Sequence, residues 1–261
     1  MKTDAKKLFV GACAGSLLAM GCLIPPKQAP SATPGSAASI GGGNTAAAAA
    51  PASGAIAGFK DCGPDGLIDD GEDGNNQNLP NGDRGGYWYT FKDKTGVTTV
   101  EPTAGEEGGT FAMSEPGHNS KFSARFHGTV GTGSIVFSGM GTNLIDPKGS
   151  YDASKYAGLA FWAKRGEDST GKVRLKVPDV NTDPDGGVCS ECFNDFGADL
   201  NLTTDWKLYI FPWKSMKQEV GWGNPIKHHI TPEKIYGIQF QVKVPRANYD
   251  IYVDDVKFLC Q

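Results

Sequence analysis

Clusters of positive charge are missing from this sequence. Among 261 residues, Lys and Arg number 25 against 29 Asp and Glu, which leaves a formal charge of −4. No run of Lys or Arg occurs beyond the first few residues. A surface that tracks a phosphate backbone needs such a stripe, so nucleic-acid recognition is not expected. Long apolar runs are missing too. The stretch Leu8 to Met20 is shorter than the roughly 20 residues of a membrane-spanning helix. Extended helical periodicity is absent, with at most single turns at Ser215 to Glu219 and Thr231 to Lys234. There is no nucleophile elbow, no H-E-x-x-H pair and no triad signature. The acids Glu106, Glu107 and Asp195 form no pair that can be assigned to one cleft. These absences argue against a hydrolase.

What is present is glycine, 36 residues of it, with aromatics at 10% and many short alternating runs. That pattern belongs to an all-β domain rich in turns. The clearest run closes the chain. From Asn248 to Gln261, Tyr249, Ile251 and Val253 alternate with Asp250, Tyr252 and Asp254, and then the apolar set moves to Val256 and Phe258. A one-residue slip would turn a strand's apolar face to water, and a bulge at Asp254-Asp255 absorbs it. Leu67 to Gly74 likewise sets acids beside a short apolar pair, with Cys62 near it and Cys260 near the last run. The two ends of the folded part therefore read as neighbouring strands. Between them, strands are expected at Gly86 to Asp93, Phe111 to Met113, Lys121 to Gly128, Ser134 to Ser138, Leu159 to Lys164, Lys172 to Pro178, Trp206 to Phe211 and Gly237 to Val244. Trp162, Trp206 and Trp213 lie in strand patterns and are expected in the core.

The first 21 residues read as a targeting signal, with Lys2, Lys6 and Lys7 ahead of the apolar stretch. The ending Leu18-Ala19-Met20-Gly21-Cys22 resembles a bacterial lipobox, which makes Cys22 the expected lipidation site. Residues 22–59 are low-complexity Ala, Pro, Gly and Ser. They lack the branched and aromatic residues that offset ordering entropy, and read as a flexible tether. Residues 60–261 form the expected single β-sandwich. The expected location is the cell envelope: anchored by lipid in the outer membrane, on its periplasmic or surface face, touching the membrane only through the lipid, as a monomer.

Five motifs in order carry a resemblance. They are I-D-D-G-E-D-G from Ile68, Y-D-A-S-K-Y-A-G-L-A-F-W-A-K from Tyr151, D-W-K-L-Y-I-F-P-W from Asp205, I-Y-G-I-Q-F-Q-V from Ile235 and Y-D-I-Y-V-D-D-V-K-F from Tyr249. Together they resemble the galactose-binding-domain-like β-sandwich, a jelly roll, and within it the family 11 carbohydrate-binding modules and related bacterial lipoproteins. The likeness spans most of residues 60–261. The segment Asn181 to Gly197 departs from it in being richer in cysteine and glycine. The resemblance implies a non-catalytic carbohydrate-binding protein, with a polysaccharide or other glycan as partner. A structural surface protein that binds only proteins is the alternative, and a polysaccharide hydrolase on the same scaffold a more remote one.

Once Cys13 leaves with the signal and Cys22 takes lipid, Cys62, Cys189, Cys192 and Cys260 remain. An even set in an exported protein points to disulfides, Cys62–Cys260 end to end and Cys189–Cys192 locally. A four-cysteine zinc site would need a second C-x-x-C. The resemblance also implies structural calcium near Asp70, Glu72, Asp254 and Asp255, four carboxylates expected in one small region, where like charges call for a cation; the alternative is a solvated acidic edge that discourages strand pairing. Asn181 to Gly186 has calcium-loop spacing but no glutamate at its twelfth position, where Cys192 stands, and reads as a polar turn. A sugar presents an apolar C–H face and many hydroxyls. Its site needs exposed rings and planar polar partners. The polar parities supply Arg125, His127, Arg174, Gln239 and Gln241. The loops supply Trp88, Trp222 and Phe193, with Asn194 and Asp195 beside the last.

Overall fold

The computed structural model describes residues 58–105, 111–224 and 229–261, all within the unit Ala49–Gln261. The signal segment, Cys22, most of the tether, Glu106 and Glu107 lie outside the described residues.

Eleven strands follow in chain order: β1 (Lys60–Asp61), β2 (Leu67–Asp69), β3 (Trp88–Lys92), β4 (Ala124–Thr129), β5 (Ser138–Asn143), β6 (Gly158–Arg165), β7 (Lys172–Val177), β8 (Phe196–Asn201), β9 (Lys207–Pro212), β10 (Gly237–Val242) and β11 (Asn248–Cys260). They form two sheets. One has six strands along the path β1-β11-β6-β9, with β2 and β4 also pairing β11; the other runs β3-β5-β10-β7-β8. All named pairings are antiparallel. The core lies between the sheets, where Phe161 of β6 meets Phe240 of β10 edge-on with ring centroids 5.0 Å apart. A polar stitch crosses there as well: the Tyr249 hydroxyl donates to Ser138 Oγ at 2.6 Å.

Strand β11 bears out its pattern. Tyr249, Ile251 and Val253 are buried, as are Val256 and Phe258. The register against β6 shifts between Asp254 and Lys257. Asp255 takes the slip with φ of 49°, a left-handed conformation that aspartate tolerates better than most residues. As expected, β1 and β2 both pair with β11: Lys60 faces Cys260 and Asp69 faces Val256.

Other strand expectations need correction. Phe111 to Met113 is not a strand; the nearest pairing is an isolated bridge between Ser114 and Ser123. The apolar residues Ile135, Val136 and Phe137 precede β5, whose own sequence, S-G-M-G-T-N, carries little apolar alternation. The pattern also passed over β8. Trp206, Leu208 and Ile210 do not face the core. Phe161 stacks instead on Tyr209 and Phe211, centroids 5.8 and 6.1 Å away. Both parities of β9 are apolar, so alternation carries no direction there. Trp162 faces outward as well, since the inward positions of β6 are Phe161 and Ala163. Only Trp213 of the three is buried.

Cys62 is joined to Cys260, 198 residues apart, and Cys189 to Cys192, 3 apart. On the chain-entropy model the long closure is worth about 5 kcal/mol and the short one about 2 kcal/mol. The paired change Cys62→Ser with Cys260→Ser is therefore expected to lower unfolding free energy more than Cys189→Ser with Cys192→Ser. Urea titration of both double variants checks the order; equal losses would refute it.

Candidate functional site

Of the sequence-nominated residues, the outer face of the five-stranded sheet gathers Arg174, Gln239 and Gln241. Register places them in two rows. Tyr89, Gly141, Gln239, Lys176 and Gly197 lie side by side across β3, β5, β10, β7 and β8, and Phe91, Gly139, Gln241, Arg174 and Asp199 lie alongside them. Adjacent strands stand about 4.8 Å apart, so each row spans about 19 Å. Gly139 and Gly141 sit at the second strand of the rows, β5. A Cβ on Gly139 would strike the Phe91 ring, and one on Gly141 would come within 2.8 Å of Gln239 Cγ. Without those side chains Phe91 lies across β5, and Gln239 Nε2 reaches over it to donate to the Tyr89 hydroxyl at 3.0 Å. The rings of Tyr89, Phe91 and neighbouring Phe137, 6.2 Å apart centre to centre, form a half-exposed strip.

Charge gathers at the other end of the rows. Arg174 is 6% exposed. Its guanidinium donates to Asp199 Oδ1 at 3.0 Å and to the Lys217 carbonyl at 2.7 Å, and lies 4.0 Å from Glu219. Glu219 also accepts from the Trp222 indole N–H at 3.2 Å and pairs with Lys243. Arg174, Asp199, Ser215, Lys217, Gln218 and Glu219 line an open cavity of about 390 Å³. Trp222, 46% exposed, reaches the cavity through its bond to Glu219, and Phe193 is exposed in the loop ahead of β8.

The remaining nominated residues do other work. Asn194 is buried; its amide donates to the Glu219 and Trp222 carbonyls at 2.9 and 2.6 Å and accepts from the Glu219 N–H at 2.9 Å. It ties the Trp222 loop down and has no group left for a ligand. Asp195 is 1% exposed and pairs with Lys176 at 3.0 Å. Burial pushes its carboxyl up, against the pull of that ammonium. Trp88 is not a loop aromatic: it is 1% exposed on β3 and its indole donates to Asp69 at 2.5 Å. Arg125 and His127 project from β4 on the other sheet, where Arg125 holds Asp250 through two hydrogen bonds of 2.7 and 3.1 Å. They cannot share a ligand with the first face. Among residues that composition did not nominate, Tyr89, Phe91, Glu219 and Lys243 belong to the face; the alternation of Tyr87, Tyr89 and Phe91 was the available signal for the first two.

The carboxylates expected to hold calcium converge on one loop, yet they are held by protein donors. Glu72 Oε1 accepts from the N–H groups of Lys121 and Phe122 at 3.0 and 2.6 Å. Asp254 accepts from His118 N–H at 2.6 Å, Ser120 hydroxyl at 3.1 Å and Asp255 N–H at 2.8 Å. Asp255 meets His118 Nδ1 at 3.3 Å, and Asp70 accepts from Glu72 N–H at 3.2 Å. Calcium needs six to eight oxygens free to point at it. Among the described residues no group of three or more His, Cys, Asp and Glu is arranged to hold a metal, so these four do not fit a calcium shell. At the other candidate loop the Lys148 ammonium sits 2.9 Å from both Asp183 and Asp185, where a cation would stand.

No family model matches the chain, and no curated protein matches it. Among solved structures it is similar to the family 11 carbohydrate-binding module of the cellulosomal cellulase Lic26A-Cel5E of Clostridium thermocellum. The TM-score is 0.50 and identity 16%, covering 75% of this chain and 94% of that one. A family 11 module from the same organism, in complex with a β-1,3-1,4-mixed-linked tetrasaccharide, gives TM-score 0.50 and 15% identity over 75% of this chain and 95% of that one. The family 30 module of its cellulase Cel9D-Cel44B gives 0.46 and 14% over 72% and 98%. The fold is a two-sheet β-sandwich, like that of the family 11 modules.

Burial pushes the carboxyls of Asp69 and Asp254 up to about 7 from 3.8, with charge repulsion from Asp255 adding to the effect at Asp254. A carboxyl whose folded pKa is raised binds its proton more tightly when folded. Its contribution is therefore fully present at acid pH and is lost as pH rises from about 4 towards about 7. Asp254→Asn is expected to flatten the fall in melting temperature across that window. A variant whose profile parallels the wild type would refute the assignment.

Proposed function

We propose that this protein is a non-catalytic glycan binder whose ligand lies across the outer face of the five-stranded sheet. The observation that carries the reading is the geometry of that face. Rings laid over the glycines of β5 offer an apolar surface for sugar C–H groups. Gln241, Arg174, Asp199 and Glu219 offer planar donors and acceptors for hydroxyls at the other end. The similarity of the fold to carbohydrate-binding modules supports it, and a mixed-linkage β-glucan is the first ligand to try. We further infer, from the sequence alone, that the chain is lipid-anchored at Cys22 in the cell envelope. Mass spectrometry of the mature N-terminus tests this, and a start elsewhere would refute it.

Phe91→Ala and Gln241→Ala are each expected to weaken β-glucan binding about tenfold or more, equivalent to about 1.4 kcal/mol, with the melting temperature little changed. Affinity electrophoresis and calorimetry read both. Binding that survives both substitutions would move the ligand off this face.

A further inference from the structure

The outer face of the six-stranded sheet carries aromatic residues that neither the core nor the first face explains. Trp162 on β6, Trp206 just before β9 and Tyr252 on β11 all project from it. Their rings form one cluster. Trp206 meets Tyr252 edge-on with centroids 6.3 Å apart. His118 stacks on Trp162 at 3.7 Å and meets Trp206 edge-on at 5.9 Å. Indoles placed outward on a sheet expose apolar area that folding alone does not require.

Two cations lean on this cluster, and they differ. Arg125 lies 4.8 Å from the centre of the Tyr252 ring and is neutralised by Asp250. The Lys164 ammonium lies 4.9 Å from the centre of Tyr252 and 5.4 Å from that of Trp206. Among the described residues it has no carboxylate within ion-pair distance. A lysine held by two rings keeps its charge available to an incoming anion, and a carboxylate can accept from it without breaking an existing ion pair. A half-exposed indole beside an uncommitted ammonium matches a sugar that has both an apolar ring face and a carboxylate.

We propose that this face is a second glycan-binding surface, taking uronic-acid residues of an acidic polysaccharide, with Trp206 stacking on the sugar ring and Lys164 meeting its carboxylate. The polarity of the face sets the orientation. Just beyond β6, Glu167 and Asp168 line a cleft of about 300 Å³ together with Asp250, which is already paired with Arg125. The charges of Glu167 and Asp168 disfavour a carboxylate in that cleft and leave Lys164 as its partner. This surface lies on the opposite side of the sandwich from Phe91 and Gln241 and stands whether or not the first face binds β-glucan.

The test uses the full-length protein and two probes in parallel, polygalacturonate and mixed-linkage β-glucan, read by calorimetry and affinity electrophoresis. The wild type is expected to bind polygalacturonate with an affinity that falls as salt rises. Lys164→Met and Trp206→Ala are each expected to weaken that binding about tenfold or more, while Phe91→Ala and Gln241→Ala leave it unchanged. Lys164→Met removes only a surface charge, so its effect stands even if Trp206→Ala unfolds the protein. No polygalacturonate binding at millimolar sugar, binding indifferent to Lys164→Met, or binding lost with Phe91→Ala would overturn the proposal. The β-glucan arm reads the first face separately, so either reading can fail alone.

Discussion

The pairing of β11 is the constraint on which the rest of the structure depends. This one strand hydrogen-bonds to β1, β2, β4 and β6, so its register fixes that of most of its sheet. The residue added around Asp255 lets β11 present Ile251 and Val253 to the core before the slip and Val256 and Phe258 after it. Without the bulge one half would have to expose its apolar side chains, at about 1.5–3 kcal/mol for each large one. The bulge also places two adjacent acids at one point. The loop at His118 to Phe122 folds over them: the His118 N–H and the Ser120 hydroxyl donate to Asp254, and the His118 ring meets Asp255, so protein hydrogen bonds offset the charge there.

Much of this was legible in the sequence, because the signals were physical rather than statistical. The parity slip in β11 and the cysteines flanking its partner strands define the seam where the ends of the domain meet. What alternation could not read is which side of a strand is inside when both sides are apolar. β6 and β9 carry Trp162, Leu208 and Ile210 outward while Phe161, Tyr209 and Phe211 turn in. β5 was hidden for the opposite reason: a central strand with glycine at both outward positions of the binding rows shows little hydrophobic period, yet the neighbouring rings need that emptiness.

The candidate site was legible in its chemistry more than in its grouping. Arg174, Gln239 and Gln241 share one face, and Trp222 reaches it through Glu219. Asn194 and Asp195, adjacent in sequence to Phe193, are buried under it. Arg125 and His127 belong to the other sheet. Sequence spacing within a strand reports parity, but which sheet a strand joins is a long-range fact set by pairing, and here it separated residues of similar type by the thickness of the sandwich. Lys148 shows the same limit. It lies far from Asp183 and Asp185 in the chain, and its ammonium pairs with both acids of a turn whose spacing alone could not name their partner.

The bond between Cys62 and Cys260 has a mechanical consequence. It joins the start of the folded domain to the last strand, so tension applied between the two chain ends runs through two sulfur atoms and leaves the 197 residues between them unloaded. Tension applied between the N-terminal end and a point on either face enters instead through β11, which is hydrogen-bonded along its length within its sheet. A strand anchored in this way must shear many backbone hydrogen bonds at once before it yields, whereas a strand at a free edge unzips them one by one. The same covalent seam that closes the fold therefore makes the start of the folded domain its strongest line under load.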